Sequence, residues 1–428
     1  MSGRRPDEDN ERVLPGSDPE ERAACVRAEN AVRQARGVLD AHAEAWSERI
    51  LETFREARVQ VSDFAPSTGY GYGAPGRNKL DAIWARLVGS ERAVVRPQLP
   101  SGSAALSHAL FAVSEPGREI VVATGSPYDT LLPVLGPEPG SLEAWGVAHR
   151  ILSWDGKGPL PRPEGFIRGE TCAVLLQRSR GYARRRSLTL DEMARFATEL
   201  HALRPDVRLL VDNSYAEFTD AAEPTAVGAD LIAGSWTKNP GGGIAPSGGY
   251  VAGRADLVER ALTRITVPGQ GAEVGAWPPG LRLYYEGLFL APGAVREALL
   301  GAIFARHLFQ ALGFRVDPRP DEPLAGDIVT RIEMGSRKVL LASIRAIQTF
   351  SPVDSMARPE PDDMPGYADP VVMAAGTFVQ GGGLELTADA PVRAPYDLFV
   401  QGGLAFGATK RVLVEAARAA QRARSEVP

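Results

Sequence analysis

The chain has 428 residues, of which 44% are hydrophobic and 24% are charged, and its formal net charge at pH 7 is -5. This composition is ordinary for a soluble globular protein of one or two domains, and it lacks the basic block that a nucleic-acid binder needs. The chain has two cysteines and five histidines, but neither a disulfide framework nor the spacing of a metal pair, so we expect a cytoplasmic protein without a metal site.

The amino-terminal part is predicted to be a tail followed by a helical arm. Residues 1 to about 18 are polar, and their composition predicts disorder. Apolar residues then recur at three- and four-residue steps from Pro19 to about Arg58, which predicts a helix. The sequence has neither the apolar segment of a signal peptide nor an uninterrupted run of eighteen apolar residues, so we expect no export and no membrane association. We assign residues 1–59 to this tail and arm.

The middle of the chain alternates short apolar runs with helical stretches. The runs are RAVVRP, EIVVATG, CAVLLQ, VRLLVDN, ADLIAGS and GGYVAG. They are continuous rather than alternating, which is typical of strands covered on both faces of a parallel sheet. We therefore predict an α/β large domain with a mostly parallel sheet over residues 60–292.

A second, smaller domain is predicted from residue 293 to residue 428. A long amphipathic helix follows Pro292, then the strand-like run DIVTRIEM and a proline-rich loop at 352–370. The chain ends in a helical pattern of about twenty residues. This mixture predicts an α+β domain.

Polar residues end two of the predicted strands in the large domain. Asp212 follows the run VRLLVDN, and Lys238 lies in GSWTKNPGGG just after the next strand. Ligands bind at the carboxyl ends of strands in open α/β sheets. Alone, such an aspartate more often caps a helix, and a lysine near glycines is usually exposed or binds a phosphate. Their joint occurrence makes a binding site worth testing.

Three further segments carry residues that complete such a site. In LPSGSAALSHALF, amides and hydroxyls precede a helix, where they can face an anion, although a plain helix cap explains this segment almost as well. GSWTK adds hydroxyls next to the lysine, and GSPYDTL adds an aromatic ring after a strand. The residues in question are Ser101, Gly102, Ser103, Ser235, Thr237 and Tyr128. A phosphate cradle, a stacking ring, a buried acid and an amine predict a site for pyridoxal 5'-phosphate.

Several longer strings resemble a known family. VDN, followed by Ser-x-Thr-Lys, is similar to the fold-type I pyridoxal-phosphate enzymes of cysteine and methionine metabolism. The strings QRSRGY, SPYDTL, KNPGGGIAPSGGY, EPDDMPGYADPVVMAAGTFVQGG and PYDLFVQGGL resemble the methionine γ-lyase-like proteins often labelled aluminium resistance proteins. The resemblance covers about residues 60 to 405. It implies a large domain like that of aspartate aminotransferase.

The resemblance also implies a role for each site residue. Lys238 would bind the cofactor covalently, Asp212 would bond its ring nitrogen, and Tyr128 would stack on the ring. The hydroxyl and glycine residues named above would surround the phosphate. In relatives a Tyr and an Arg of the neighbouring subunit reach that phosphate. Tyr72 and Arg77 in GYGYGAPGRN match them, which implies a homodimer or homotetramer with shared active sites.

Other residues are candidates for the substrate side of the site. Arg393 is our candidate for the substrate α-carboxylate, because arginine presents a planar fork to a carboxylate. Arg178 and Arg180 compete less strongly for that role. Trp236 and Trp277 are expected in the core, and the alternative is that they line the site.

The predicted reaction is γ-elimination on an L-amino acid. Lys238 would remove the α-proton and Tyr128 would act as an acid toward the leaving group. The product would be a 2-oxo acid with ammonia, or a β,γ-unsaturated amino acid. The γ leaving group is expected to be a thiolate, a halide or a similar stable anion, in specialised amino-acid metabolism. Because the glycine-rich VQGGGLEL departs from the family pattern, we expect it not to be the methylthiol of methionine, and a halide is our candidate. The alternatives are β-elimination, γ-replacement or transamination, and a non-catalytic binding or regulatory protein.

Overall fold

The computed structural model describes residues 19–322 and 326–426, and the predicted polar tail lies outside these residues. The described residues form two compact units. The large unit contains residues 42–293 together with 326 and 327. The small unit contains residues 19–41, 294–322 and 328–426.

The large unit is built on a seven-stranded sheet. Its strands are β1 Arg92–Arg96, β2 Glu119–Val122, β3 Ala148–Ile151, β4 Thr171–Gln177, β5 Arg208–Asp212, β6 Leu231–Ser235 and β7 Gly249–Gly253. Their order in the sheet is β1-β7-β6-β5-β4-β2-β3. The pairs from β3 through β6 are parallel, whereas β7 runs antiparallel to both of its neighbours. The mostly parallel sheet predicted from the sequence is confirmed.

Helices precede, connect and follow these strands in the chain. They are α1 Pro19–Glu56, α2 Pro75–Leu87, α3 Gly102–Val113, the single turn α4 Leu132–Leu135, α5 Leu190–Leu203, α6 Ala255–Ile265 and α7 Arg282–Ala311, of which α1 and α7 also contribute residues to the small unit. Every residue of β2, β4, β6 and β7 is buried, as expected of strands covered on both faces. One apolar cluster joins the sheet to α3 and α6.

The direction of the strands determines where a site can form. Because β2, β4, β5 and β6 are parallel, their carboxyl ends meet at one edge of the sheet. Asp212 is the last residue of β5, and Ser235 is the last residue of β6. We call this edge, with the loops that leave it, the carboxyl edge.

The small unit has a five-stranded antiparallel sheet and a second apolar core. Its strands are β8 Arg315–Asp317, β9 Val329–Glu333, β10 Val371–Ala374, β11 Thr387–Pro391 and β12 Asp397–Gln401, in the order β10-β11-β12-β9-β8. The helices α8 Arg337–Thr349 and α9 Phe406–Ser425 follow β9 and β12 in the chain. The expectation of an α+β unit at the carboxyl-terminal end is confirmed.

The long helix α7 differs from its prediction. The sequence places its start after Pro292, but the helix begins at Arg282 and contains the proline. Tyr284, Tyr285 and Leu288 are each at most 1% exposed, so apolar packing of the first two turns stabilises a helix that loses one backbone donor at the proline. By length and composition α7 could cross a membrane, yet 67% of its most apolar stretch is buried within the protein, as in a core helix.

Candidate active site

The carboxyl edge brings the predicted acid and the predicted amine into one electrostatic environment. Asp212 is 7% exposed and accepts a hydrogen bond from the Ser214 amide at 3.2 Å. Burial raises the pKa of Asp212, and the positive charge of Lys238 opposes this rise. Lys238 follows β6 by three residues, and its Nζ lies 3.5 Å from the centre of the Tyr215 ring. An acid and an amine therefore face the same small region.

The start of α3 lies against this region. Ser101 caps the helix, because its Oγ accepts a bond from the Ala104 amide at 3.0 Å. A methyl group on Gly102 would lie 3.2 Å from Ser235 Cβ and 3.3 Å from Ser214 Oγ. Glycine thus lets the first amides of α3 approach the ends of β5 and β6 closely. These amides form a positive helix end that favours an anion.

Hydroxyl groups complete this helix end. Ser235 Oγ and Thr237 Oγ1 are 2.8 Å apart, and Ser103 Oγ is 3.3 Å from Thr130 Oγ1. The second contact ties α3 to the loop that carries Tyr128, a partly buried residue that packs on the core of the large unit. The structure therefore gathers the predicted phosphate-binding residues, the predicted stacking ring, the acid and the amine at one edge of the sheet.

A buried network of charged and polar side chains, centred on Arg178, includes Asn213, the residue that follows Asp212. Arg178, whose side chain is fully buried, donates to Asn213 Oδ1 at 2.7 Å, to Glu223 Oε2 at 3.1 Å and to Asp220 Oδ2 at 2.7 Å. Burial raises the pKa of Glu223, and the charge of Arg178 lowers it. Because its carboxylate partners neutralise Arg178, we withdraw it as a candidate for the substrate carboxylate. Arg180 likewise pairs with the buried Asp327 at 3.4 Å.

A buried acid lies near Lys238. Glu217 is fully buried and accepts a bond from Tyr250 Oη at 2.7 Å. Burial raises the pKa of Glu217 to about 8, while the hydrogen bond from Tyr250 and the charge of Lys238 lower it. A methyl group on Gly234 would lie 2.6 Å from Tyr250 Oη and 2.7 Å from Glu217 Oε1. The glycine in β6 therefore makes room for this pair.

The loop that carries Tyr72 and Arg77 is predicted to reach a neighbouring subunit's phosphate site. Tyr72 is 65% exposed and stacks on Tyr70, so it stays a candidate for contact with another subunit. Arg77 is fully buried and donates to the carbonyls of Gly71, Gly275 and Glu273 at 3.0 to 3.2 Å. In this single chain the Arg77 donors bind backbone carbonyls around their own loop, and the role of Arg77 in a neighbour's phosphate site stays a prediction.

The remaining predicted residues fall into two groups. Trp236 and Trp277 are at most 1% exposed, and Trp236 packs edge-on against Trp84 at 5.1 Å. Both tryptophans are core residues and do not line the site. Arg393 belongs to the small unit, where it pairs with Asp369 at 2.8 Å and its side chain is 47% exposed. Its assignment to the substrate carboxylate stays a prediction.

Sequence reasoning missed three residues of this edge. Tyr215 and Glu217 lie in the loop after Asp212, within VDNSYAEF, and a signal for them was present in Gly234, since glycine inside a strand marks a close approach. Arg185 is buried, and burial together with the charge of Arg180 lowers its pKa to about 10. Its position within an arginine-rich stretch gave no sign of burial.

The chemistry of this edge fits pyridoxal 5'-phosphate. Among the residues that the structure describes, no three His, Cys, Asp or Glu side chains form a metal-binding group. The open helix start at Gly102 suits a phosphate, Lys238 suits a covalent bond to an aldehyde, and Asp212 suits a protonated ring nitrogen.

Comparisons with known proteins show what the whole chain is similar to. Residues 22–421 match the family model described as methionine gamma-lyase. The chain is 41% identical over 374 residues to YnbB, an uncharacterised protein of Bacillus subtilis, covering 86% of this chain and 89% of the relative.

Two solved structures are also similar over most of the chain. One is a candidate cystathionine beta-lyase involved in aluminium resistance from Listeria monocytogenes. It has a TM-score of 0.89 and 39% identity, covering 92% of this chain and 99% of that chain. The other is a carbon-sulfur lyase involved in aluminium resistance from Clostridium novyi. It has a TM-score of 0.89 and 37% identity, covering 97% and 100%.

Proposed function

The chain belongs to the methionine gamma-lyase family, and from this premise we propose that it is a pyridoxal 5'-phosphate-dependent lyase that eliminates a γ substituent from an L-amino acid. The observation that carries the proposal is the carboxyl edge itself. There the buried Asp212, the amine of Lys238 and the open start of α3 at Gly102 lie together.

The residues of the edge divide the work of such a reaction. The cofactor, when bound, supplies an electron sink for a carbanion at the substrate α carbon. Lys238 would hold the cofactor, and its released amine would accept the substrate α-proton. γ-Elimination also requires the loss of a β-proton before the γ substituent leaves, and the same amine can accept it once it has passed on the first proton. Asp212 holds the proton at the ring nitrogen, and Tyr128 donates a proton toward the leaving group. Ser101, Gly102, Ser103, Ser235 and Thr237 bind the phosphate.

A second reaction has a specific observation in its favour. The similar protein from Listeria is a candidate cystathionine beta-lyase, and β-elimination uses the same lysine, acid and phosphate site. L-Cystathionine separates the two reactions in one assay, because its thioether sulfur bonds to the γ carbon of one amino acid and the β carbon of the other. γ-Elimination releases cysteine, ammonia and 2-oxobutanoate. β-Elimination releases homocysteine, ammonia and pyruvate.

The decisive experiment incubates the cofactor-loaded protein with L-cystathionine, L-methionine and a γ-chloro amino acid, and identifies the 2-oxo acid by mass spectrometry. We expect 2-oxobutanoate, and no 2-oxo acid from the matched Lys238→Ala variant. We also expect the γ-chloro substrate to react faster than methionine, since VQGGGLEL departs from the family pattern. Pyruvate from cystathionine would favour β-elimination. A protein that does not bind the cofactor would refute both reactions.

We further propose that two copies of the chain share their active sites. The exposed Tyr70–Tyr72 stack supports this proposal, since exposed aromatic pairs are typical of interfaces. Mixing inactive Lys238→Ala chains with weakly active Tyr72→Ala chains should restore part of the activity in hybrid dimers. A fully active monomer at assay concentration would contradict the proposal.

A further inference from the structure

Tyr215 combines a strained backbone with a contact to the lysine. Its φ is +70°, a left-handed conformation that residues with a side chain seldom adopt. Its ring face lies 3.5 Å from Lys238 Nζ. Strain of this kind persists only where the surroundings fix the conformation, and it is concentrated at functional sites. Phe218 at the end of the same loop also has a positive φ, +62°, and Tyr215 is the strained residue whose ring contacts the reactive amine.

The neighbours of Tyr215 hold the strained loop in place. Arg178 binds the Asn213 side chain at 2.7 Å at the start of the loop, and Glu223 Oε1 accepts the Phe218 amide at 2.8 Å at its end. Asn239, the residue after Lys238, donates to the Glu217 carbonyl at 2.8 Å. The loop is therefore held at both ends, and the Asn239–Glu217 hydrogen bond joins it to the segment that carries Lys238.

Two buried carboxyl groups, Asp212 and Glu217, interact with the charge of Lys238. Burial raises the pKa of each, and the charge of Lys238 opposes that rise. The ring of Tyr215 adds a further interaction with the same amine. The face of an aromatic ring attracts a cation without burying a second charge.

We propose that Tyr215 is a positioning residue that holds the ammonium form of Lys238 against its ring face when that amine carries a proton, which is the case before the cofactor binds and after the amine has accepted the α-proton. The inference rests on the proposed function, in which Lys238 is released and bound in each cycle. Tyr215 would give the released amine one resting place. It would also favour its protonated form, which shifts the titration of Lys238 upward by about half a pH unit to one and a half units.

The test measures the titration of Lys238 in the full chain without cofactor. Competitive acetylation with acetic anhydride across pH, read by peptide mass spectrometry, gives the midpoint at which Lys238 becomes reactive. Lys157, whose side chain is 87% exposed, serves as the internal reference. Tyr215→Asn removes the ring, and asparagine tolerates a left-handed backbone. Tyr215→Phe is the matched control that keeps the ring face.

We expect Tyr215→Asn to lower the midpoint of Lys238 by about half a unit to one and a half units, while Lys157 does not change. Tyr215→Phe should behave as the wild type. An unchanged midpoint in Tyr215→Asn overturns the inference, and an equal shift in Tyr215→Phe assigns the effect to the hydroxyl and overturns the role of the ring face. If Tyr215→Asn does not fold, Tyr215→Gly gives the same reading without backbone strain.

This measurement separates the inference from the proposed function. Acetylation requires neither cofactor nor substrate, so a wild-type chain that binds no pyridoxal phosphate would refute the function while the Tyr215 comparison still gave its answer. In the cofactor-binding protein, a second reading is the rate at which added cofactor forms its absorption band. We expect Tyr215→Asn, unlike Tyr215→Phe, to change the pH dependence of that rate.

Discussion

The carboxyl edge of the large sheet and the exposed ion pair Arg393–Asp369 of the small unit both present arginine and carboxylate groups, but in opposite environments. Arg178 is fully buried and is bound to Glu223, Asp220 and Asn213. The side chains of Arg393 and Asp369 are 47% and 36% exposed. From the sequence, both arginines are candidates for a substrate carboxylate, with Arg393 the stronger one. Because Arg178 is buried and bound to these side chains, it supports the structure of the site, whereas the exposed Arg393 is accessible to a ligand.

The largest effect, on the turnover number, is expected from a substitution of Asp212 at the carboxyl edge. Asp212→Asn keeps the shape of the side chain but removes the charge that holds a proton on the cofactor ring. The turnover number should therefore fall by orders of magnitude, roughly a hundredfold or more, with a small change in stability. Steady-state kinetics and urea unfolding at the same pH measure both effects. Near-normal turnover would show that Asp212 is not the acid.

Removing a charge from the buried network tests its contribution to stability. Glu223→Gln leaves Arg178 buried with less opposing charge, and we expect a loss of about 3–5 kcal/mol in the free energy of unfolding. The matched control is Asp369→Asn, which breaks the exposed pair and should change stability by less than about 1 kcal/mol. Urea denaturation of both variants measures the difference. Equal losses would refute the distinction between the two regions.

The pH dependence of stability tests the second buried acid. The pKa of Glu217 is raised to about 8 in the folded protein, against a reference value of 4.5. Stability is therefore fully present below pH 4.5 and decreases as the pH rises to 8, because the unfolded chain releases a proton that the folded protein keeps. The decrease is at most about 1.4 kcal/mol per pH unit from this one group.

Glu217→Gln removes this titration. Urea midpoints measured from pH 5 to pH 8 should show the variant gaining on the wild type as the pH rises. Parallel curves for the two proteins would mean that Glu217 titrates normally in the folded state.

The smallest effect, on KM, is expected from a substitution in the exposed Arg393–Asp369 pair. Arg393→Ala should raise KM about tenfold to a hundredfold, the equivalent of about 1.5–3 kcal/mol for a charge-assisted hydrogen bond, and leave the cofactor absorption band intact. Asp369→Asn is again the control, since it keeps the arginine and should not raise KM. If both variants raise KM equally, the ion pair itself matters and Arg393 is not the carboxylate ligand.

The sequence predicts the parts of the fold that repeat a simple pattern. All six apolar runs of the middle segment are strands, because burial on both faces leaves a continuous apolar signal. β3, in contrast, was missed, since AHRI has partly exposed residues at the edge of the sheet. The start of α7 was also missed, because tertiary packing of its first turns overrides the local effect of Pro292.

In the site, as in the fold, the residues that follow a local pattern could be predicted from the sequence. Lys238, Asp212 and the helix start at Gly102 follow from strand ends and short motifs. Whether an arginine is buried depends on partners that are distant in sequence. Arg77 contacts carbonyls almost two hundred residues away, and no local pattern records such contacts.

Gly234 has a consequence for comparing sequences of this family. Its missing side chain leaves the space that Tyr250 Oη and Glu217 Oε1 occupy. The three positions should therefore covary in an alignment, and a relative with alanine at the position of Gly234 should lack the tyrosine–glutamate pair. This three-residue signature could divide the family into members that keep a buried acid beside the lysine and members that do not.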